Sequence, residues 1–84
     1  MSLGRLSRAR KKTVGSKQTL KAIDRNQARV EYVASNAERH VTDPIIQACM
    51  AKSVPLITVE SMQALGKACG IEVGCAATAI MEED

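Results

Sequence analysis

The sequence predicts an α/β fold in which helices cover both faces of a short, largely buried sheet. Segments with the apolar spacing of helices alternate with short apolar segments through most of the chain. A length of 84 residues allows one domain, and an apolar content of 45% is that of a folded chain. We therefore expect a single domain over residues 1–84, in which residues 82–84 form a solvated acidic tail.

Two helices are expected before the first strand. Residues 3–11 have the spacing of a short basic helix, which the segment 13–15 interrupts. Ser16 is a suitable N-cap for a second helix at about 17–26. Residues 29–34 are rich in β-branched and aromatic side chains, so the first predicted strand lies here.

The second half continues the alternation. Asp43-Pro44 is typical of a helix start, although this helix could begin nearer His40, and Val54-Pro55 ends it. A short apolar strand follows at residues 56–59.

The last helix and strand complete the pattern. Ser61 is the predicted cap of a helix that reaches about Cys69, and Gly70 is typical of a C-terminal cap. Residues 75–81 form the last predicted strand. Because Tyr32 is the one aromatic residue, the core must consist mainly of aliphatic, Met and Cys side chains.

The charge is unevenly distributed along the chain. Nine of the twelve Lys and Arg residues lie at or before Arg29, where Asp24 is the one opposing carboxylate. The remaining residues carry the other eight carboxylates. Such a dipolar chain favours a polyanion partner, since Lys and Arg neutralise phosphates, although a solvated basic helix has the same pattern.

Several classes of protein are disfavoured. The basic N-terminus is not followed by the apolar stretch of a signal peptide, and no apolar run has the length of a membrane span. Three cysteines do not make a closed disulfide framework, so we expect reduced, buried thiols and a cytoplasmic protein.

No residue pattern typical of an enzyme is present. His40 is the only histidine, and a lone histidine near a helix start is more often solvated or capping than a base. Cys69 and Cys75 do not have the spacing of a zinc site, and Gly70 and Gly74 do not form a phosphate loop. We therefore expect no catalytic residues, no cofactor and no metal site.

Three segments carry a resemblance to a known family. Residues 14–23 (VGSKQTLKAI) resemble the RNA-binding signature of the L7Ae ribosomal protein family, which runs Gly-x-Asn-Glu-x-x-Lys at a helix start. Residues 54–59 (VPLITV) and 61–73 (SMQALGKACGIEV) are similar to the strand and the helix-loop that follow in the family. The last segment is the most specific, and the resemblance is strongest to short bacterial members.

The resemblance implies a three-layer α/β/α sandwich with a four-stranded mixed sheet. It also implies binding to kink-turns, which are RNA duplexes bent at a bulge beside tandem sheared G·A pairs. The partner would be a ribosomal RNA, a riboswitch or a small RNA containing that motif, and the protein would be a monomer. Recognition would rest on shape, phosphates and extruded bases, as is general for RNA.

The implied RNA-binding residues follow from the matching positions. They are Gly15, Ser16, Lys17, Gln18, Lys21, Ile71, Glu72 and Val73. Gly15 would let the backbone approach the RNA and present amide hydrogens. Lys17 and Gln18 stand where the family has Asn and Glu, which face the guanines. This departure leaves affinity and selectivity open.

The remaining implied contacts come from one lysine and one loop. Lys21 would contact the RNA backbone or a base edge, and residues 71–73 would shelter an extruded nucleotide. Taken singly, Lys17, Gln18 and Lys21 also fit an ordinary polar helix face, and Ile71 and Val73 also fit a strand entry. Two other functions stay open: RNA binding without a kink-turn, with residues 5–12 as a phosphate clamp, and a protein adaptor on a ribonucleoprotein surface.

Overall fold

A computed structural model describes residues 2–83. Within that range the chain forms four helices and four strands. In chain order they are α1 (Ser2–Arg8), β1 (Lys11–Lys12), α2 (Ser16–Asp24), β2 (Val30–Ala34), α3 (Arg39–Lys52), β3 (Leu56–Val59), α4 (Met62–Ala68) and β4 (Ala77–Glu82).

The strands form one mixed sheet in the order β1-β4-β2-β3. Strand β2 pairs in parallel with β3 and antiparallel with β4, and β4 pairs antiparallel with the short β1. The predicted four-stranded mixed sheet is therefore confirmed. The parallel pair is joined by α3, as a parallel connection requires.

Each face of the sheet is covered by two helices. Because successive side chains of a strand point to opposite faces, Tyr32 and Val33 of β2 belong to different cores. Tyr32 packs with Leu6 of α1 and Leu65 of α4. Val33 packs in the second core, which is formed with α2 and α3 and contains Ile23, Ile45 and Cys49. The α/β/α layering expected from the sequence is confirmed.

Strand β1 was not expected, because residues 3–11 were assigned to one helix. Helix α1 ends at Arg8, and Lys11 and Lys12 instead pair with Glu82 and Ile80 of β4. The backbone groups of this segment thus bond to a neighbouring strand, a partner that helical spacing cannot reveal.

The C-terminal residues also differ from the expected tail. Glu82 is the last residue of β4, and the Glu83 carboxylate accepts two hydrogen bonds from Arg5, at 2.7 and 2.8 Å. The Arg5 guanidinium lowers the pKa of Glu83 through these bonds. Asp84 lies outside the described residues. Glu82 is thus exposed to solvent but belongs to a strand, and Glu83 is half-buried beside Arg5.

The start of α4 agrees with the sequence prediction, and the start of α3 agrees with the alternative near His40 rather than with Asp43-Pro44. Helix α3 begins at Arg39, close to His40, so that Pro44 lies inside it. Helix α4 begins after Ser61, whose Oγ accepts a hydrogen bond from the Ala64 amide at 3.0 Å. Ser16, however, is the first residue of α2, and the cap position belongs to Gly15.

One carboxylate lies in the core. Glu31 is fully buried in β2, on the face that packs against α2 and α3, and neither of its carboxylate oxygens has a hydrogen-bond partner among the described residues. Burial raises the pKa of Glu31 to about 9, because the charged form loses its hydration. Along the described chain, no helix is long and apolar enough to cross a membrane.

Candidate nucleic-acid interface

The two implied binding segments lie at one edge of the sheet. Strands β2 and β3 end there, β4 begins there, and helices α2 and α3 both have their N-termini there. The Ala34 amide donates to the Ala76 carbonyl at 2.9 Å, and the Ser35 amide donates to the Val59 carbonyl at 2.8 Å. These bonds join three strand ends. We call this the loop edge.

Gly15 sets the start of α2. Its backbone has φ 98° and ψ 151°, a conformation that is nearly restricted to glycine, and a Cβ there would face open space. The Gly15 amide itself donates to the Ala77 carbonyl at 3.1 Å, which extends the pairing of β1 with β4. The amide hydrogens that Gly15 is expected to present are therefore those of the residues that follow it.

The next three amides are the available ones. No side chain caps α2, and the amides of Ser16, Lys17 and Gln18 precede the first helical hydrogen bond, from Thr19 to Gly15. The positive end of the α2 dipole therefore carries three donors with no acceptor among the described residues, an arrangement that favours a negatively charged or carbonyl oxygen.

A buried hydroxyl network fixes this turn against β4. The hydroxyls of Thr13 and Thr19 share a hydrogen bond of 2.7 Å, and the Ala79 amide donates to Thr13 Oγ1 at 3.0 Å. The Thr78 hydroxyl donates to the Thr13 carbonyl. Because Thr19 and Thr78 are fully buried, the network holds the entry to α2 in one position.

The long polar side chains of α2 all point to solvent. Lys17, Gln18 and Lys21 are exposed, while Thr19 and Ile23 on the opposite side are buried. Lys17 and Lys21 are four residues apart and therefore share one side of the helix. The structure thus places the three predicted side chains on a common accessible face beside the three amides.

The loop 70–76 forms the other half of the loop edge. Val73 is 70% exposed and Glu72 is exposed, while Ile71 is half-buried and packs against the α1/α4 core. An aliphatic side chain this exposed is free to contact a ligand, which the strand-entry alternative for Val73 does not predict. Ile71 packs against the core, but it lies six residues before β4 begins.

The position of this loop depends on Gly66. The Ile71 amide donates to the Gly66 carbonyl at 3.1 Å, and a Cβ on Gly66 would overlap the Val73 carbonyl oxygen. The Cys75 amide donates to the Met62 carbonyl at 3.0 Å, on the same helix α4. The backbone of the loop therefore packs directly against α4. At position 66 there is no room for a side chain larger than the hydrogen of glycine.

Two thiols connect the loop to the α2 start. The Cys75 thiol donates to the Ala77 carbonyl at 3.0 Å, the same oxygen that accepts the Gly15 amide, and the Cys69 thiol donates to Thr78 Oγ1 at 3.6 Å. The neighbouring Cys69 thiol lowers the pKa of Cys75, while burial opposes this shift. The pKa of Cys69 is raised by the Cys75 thiol and by burial. Cys49, Cys69 and Cys75 are all free thiols, as expected. Gly15 and the end of the loop are thus in contact.

Sequence reasoning missed the β2–α3 turn. Asn36 Oδ1 accepts a hydrogen bond from the Met62 amide at 2.8 Å, and Ser35 Oγ donates to the Glu60 carbonyl at 3.0 Å. These bonds tie the turn to the start of α4. A Ser-Asn pair directly after an apolar strand was the available signal, since both residue types bond to nearby backbone.

The loop edge carries charges of both signs. Lys17 and Lys21 are exposed there, and so are the carboxylates Glu38, Glu60 and Glu72. His40 Nδ1 lies 3.7 Å from the carboxylate of Glu38. The loop edge therefore has no large excess of positive charge. Its distinctive features are the free backbone amides at the start of α2 and the exposed apolar side chain of Val73.

The fold and this edge define a class of protein: small α/β/α domains that present a helix N-terminus beside a loop. Within that class, residues 2–84 match the model of the ribosomal protein L7Ae/L30e/S12e/Gadd45 family. The chain belongs to this family, as the sequence resemblance indicated.

Relatives and a solved structure agree with this assignment. The chain is 43% identical over 81 residues to an RNA-binding protein of Bacillus pumilus, covering 96% of this chain and 99% of the relative. It is 38% identical to the RNA-binding protein YbxF of Geobacillus stearothermophilus, with the same coverage of 96% and 99%. The Giardia lamblia 15.5kD RNA binding protein superposes with a TM-score of 0.89 at 26% identity, covering 99% of this chain and 72% of that one.

Proposed function

We propose that this protein binds RNA and recognises kink-turns through the loop edge. One observation carries the proposal: the unbonded amides of Ser16, Lys17 and Gln18 lie beside an exposed apolar loop, and the Ala77 carbonyl joins the two by accepting from both Gly15 and Cys75. The names of the relatives support RNA as the ligand. The bacterial cytoplasm is the compartment we expect, with the protein acting as a monomer and without catalysis.

The two halves of the edge would do different work. The α2 amides and dipole would bind oxygen acceptors of the bent RNA, while Lys17 and Gln18 reach guanine edges in the groove. Lysine is only a donor and suits guanine O6 and N7, whereas glutamine both donates and accepts. Val73 and Ile71 would cover an extruded base, and Glu72 would accept a hydrogen bond from it.

The decisive test compares two RNAs. A duplex with a kink-turn should bind much more tightly than the same duplex in which Watson-Crick pairs replace the tandem G·A pairs. Titrations of both RNAs at one fixed salt concentration measure the ratio, since affinities depend on salt. Equal dissociation constants would refute recognition of the kink-turn shape while leaving RNA binding intact.

Lys21→Ala should weaken RNA binding and reduce its salt dependence. Loss of one phosphate contact lowers the slope of log K against log salt by about one. Lys67→Ala is the matched control, because Lys67 is also exposed on a helix but lies on α4. A slope for Lys21→Ala equal to that of Lys67→Ala would show that Lys21 does not contact the RNA.

Val73→Asp should weaken kink-turn binding by about 1 kcal/mol or more, because a carboxylate there would face phosphates and lose hydration on contact. Met50→Asp is the control, since Met50 is similarly exposed, at 76%, and lies on α3. Equilibrium titration gives the affinities, and thermal unfolding verifies both variants. Unchanged affinity in a folded Val73→Asp protein would mean that the loop does not touch RNA.

The clamp formed by residues 5–12 receives little support as a unit. Arg5 is bound to Glu83 through two hydrogen bonds, and Lys12 Nζ donates to the carbonyls of Leu6 and Ser7 at 3.3 and 3.4 Å. Two of its cations are therefore engaged within the protein. The alternative function, a protein adaptor on a ribonucleoprotein surface, predicts that a partner protein still co-purifies with this protein after ribonuclease treatment.

A further inference from the structure

We propose a second RNA-binding surface, specific for the phosphate backbone, at the end of the sheet opposite the loop edge. We call it the basic pole and define it by Lys11, Arg25 and Arg29. This inference rests on RNA binding as the proposed function, but it concerns residues that the kink-turn proposal does not use.

The fold brings Lys11 and Arg29 together in the lining of one surface depression, and Arg25 precedes the lining residue Asn26 in the chain. Lys11 pairs with Glu82 at the end of β4, and the Arg29 amide donates to the Ile80 carbonyl at 2.8 Å. Arg25 caps the C-terminus of α2, so it follows the last turn of the helix that begins at the loop edge. Sequence order alone does not join Lys11 with Arg29, because α2 separates them.

The side chains at this pole are available to a ligand. Lys11, Arg25 and Arg29 are all exposed, and none forms an ion pair with a residue in the described range 2–83. Arg29 does act at longer range on Glu83, whose pKa it helps to lower after the dominant effect of Arg5. The Glu83 charge is already bound by Arg5 through two hydrogen bonds.

An open depression lies between these elements. It has a volume of about 320 Å³ and is lined by Lys11, Arg29, Asn26 and Gln27, with Glu82 as the one carboxylate in its lining. Asn26 has φ 59°, so its turn adopts the left-handed conformation that asparagine tolerates. Amide and guanidinium donors in a shallow, open site suit phosphate oxygens of a strand lying across it.

The chemistry favours a nucleic-acid backbone over bases or a membrane. None of the residues lining the depression is aromatic, so stacked bases find no platform. Its apolar lining consists of Ala28 and the half-buried Met81, too little for insertion into a bilayer. Contacts to phosphates carry no sequence information directly, so we expect this surface to bind RNA without sequence preference.

The basic pole and the loop edge lie at opposite ends of the sheet. Strand β4 begins at the loop edge and ends at the pole, a separation of about 16 Å at about 3.3 Å per residue. In this proposal the second surface contacts RNA outside the kink-turn bound at the loop edge. The protein would hold two RNA segments together, with shape recognition at one end and charge at the other.

The test compares the full-length wild-type chain with a double variant that lacks the Lys11 and Arg29 side chains, the two cations that line the depression. In Lys11→Gln/Arg29→Gln, affinity for a plain RNA duplex without a kink-turn should fall, and its salt slope should decrease by about two. Affinity for a minimal kink-turn hairpin should change less than twofold. Lys67→Gln, an exposed lysine on α4, is the control and should leave both affinities unchanged.

A bridging measurement completes the experiment. With the kink-turn hairpin immobilised and the protein bound, wild-type protein should retain a labelled plain duplex, and the double variant should not. The proposal is wrong if the double variant binds the plain duplex as tightly as the wild-type protein does. If wild type does not prefer the kink-turn but the double variant still loses the duplex, the kink-turn proposal fails and the basic pole stands.

Discussion

Gly66→Ala should displace the loop 70–76 and reduce kink-turn affinity at least tenfold. The added Cβ would overlap the Val73 carbonyl oxygen, and the neighbouring carbonyl carbon would lie only 3.2 Å away. Backbone atoms cannot rotate aside as the end of a side chain can. Forcing a methyl group into a packed contact of this kind costs about 1–3 kcal/mol, and here the strain falls on the loop proposed to bind RNA.

Gly4→Ala is the matched control for this substitution. Gly4 is also helical, but a Cβ there would meet only the terminal Nη1 of Arg8, at 3.2 Å, which is a flexible group. Replacing a helical glycine by alanine generally stabilises by about 0.5–1 kcal/mol, so Gly4→Ala should fold and bind as wild type does. Backbone amide shifts and RNA titrations compare the two variants. If Gly66→Ala leaves both the loop shifts and the affinity unchanged, α4 does not position the loop.

The stability of the protein should fall as the pH rises, because of Glu31. Burial raises the folded-state pKa of Glu31 to about 9, above the ordinary value of 4.5. Between these values the folded state binds a proton that the unfolded state has lost. The stabilising contribution is therefore complete below about pH 4.5 and decreases as the pH rises to about 9, by about 1.4 kcal/mol per pH unit from this group.

Glu31→Gln should remove most of this dependence. Glutamine has the same shape and no ionisation, so the variant should match wild type near pH 5 and exceed it at pH 8. Denaturant unfolding at pH 5, 6.5 and 8 provides the free energies. Glu60→Gln, which alters an exposed carboxylate, should follow the wild-type curve. Parallel curves for wild type and Glu31→Gln would mean that Glu31 does not take up a proton on folding.

Much of the fold was predictable because local patterns and tertiary packing agree. Ser61 is an N-cap in both, and the apolar runs at 30–34 and 56–59 are the two parallel strands. Where the two disagreed, a distant partner was the cause. Lys11 lies in a strand and not in the predicted helix 3–11, because β4 supplies backbone hydrogen bonds to it and to Lys12.

The candidate site was predictable in its residues but not in its geometry. Lys17, Gln18 and Lys21 are exposed together as the sequence suggested. The available donors, however, are the amides of residues 16–18 rather than that of Gly15, since the Gly15 amide is bonded to Ala77. Which amide is engaged depends on the register of β4, and no pattern around residue 15 contains that information.

The sequence by itself determined the alternation of elements, the apolar core composition, the concentration of positive charge before residue 30 and the family. The tertiary structure alone decided three things: the contact of Gly66 with the loop, the burial of Glu31 and the separation of the loop edge from the basic pole. The physical reason is common to all three. Spacing along a chain reports which side of an element faces inward, but the distance between elements and the solvent left between them follow only from how the sheet and its helices pack.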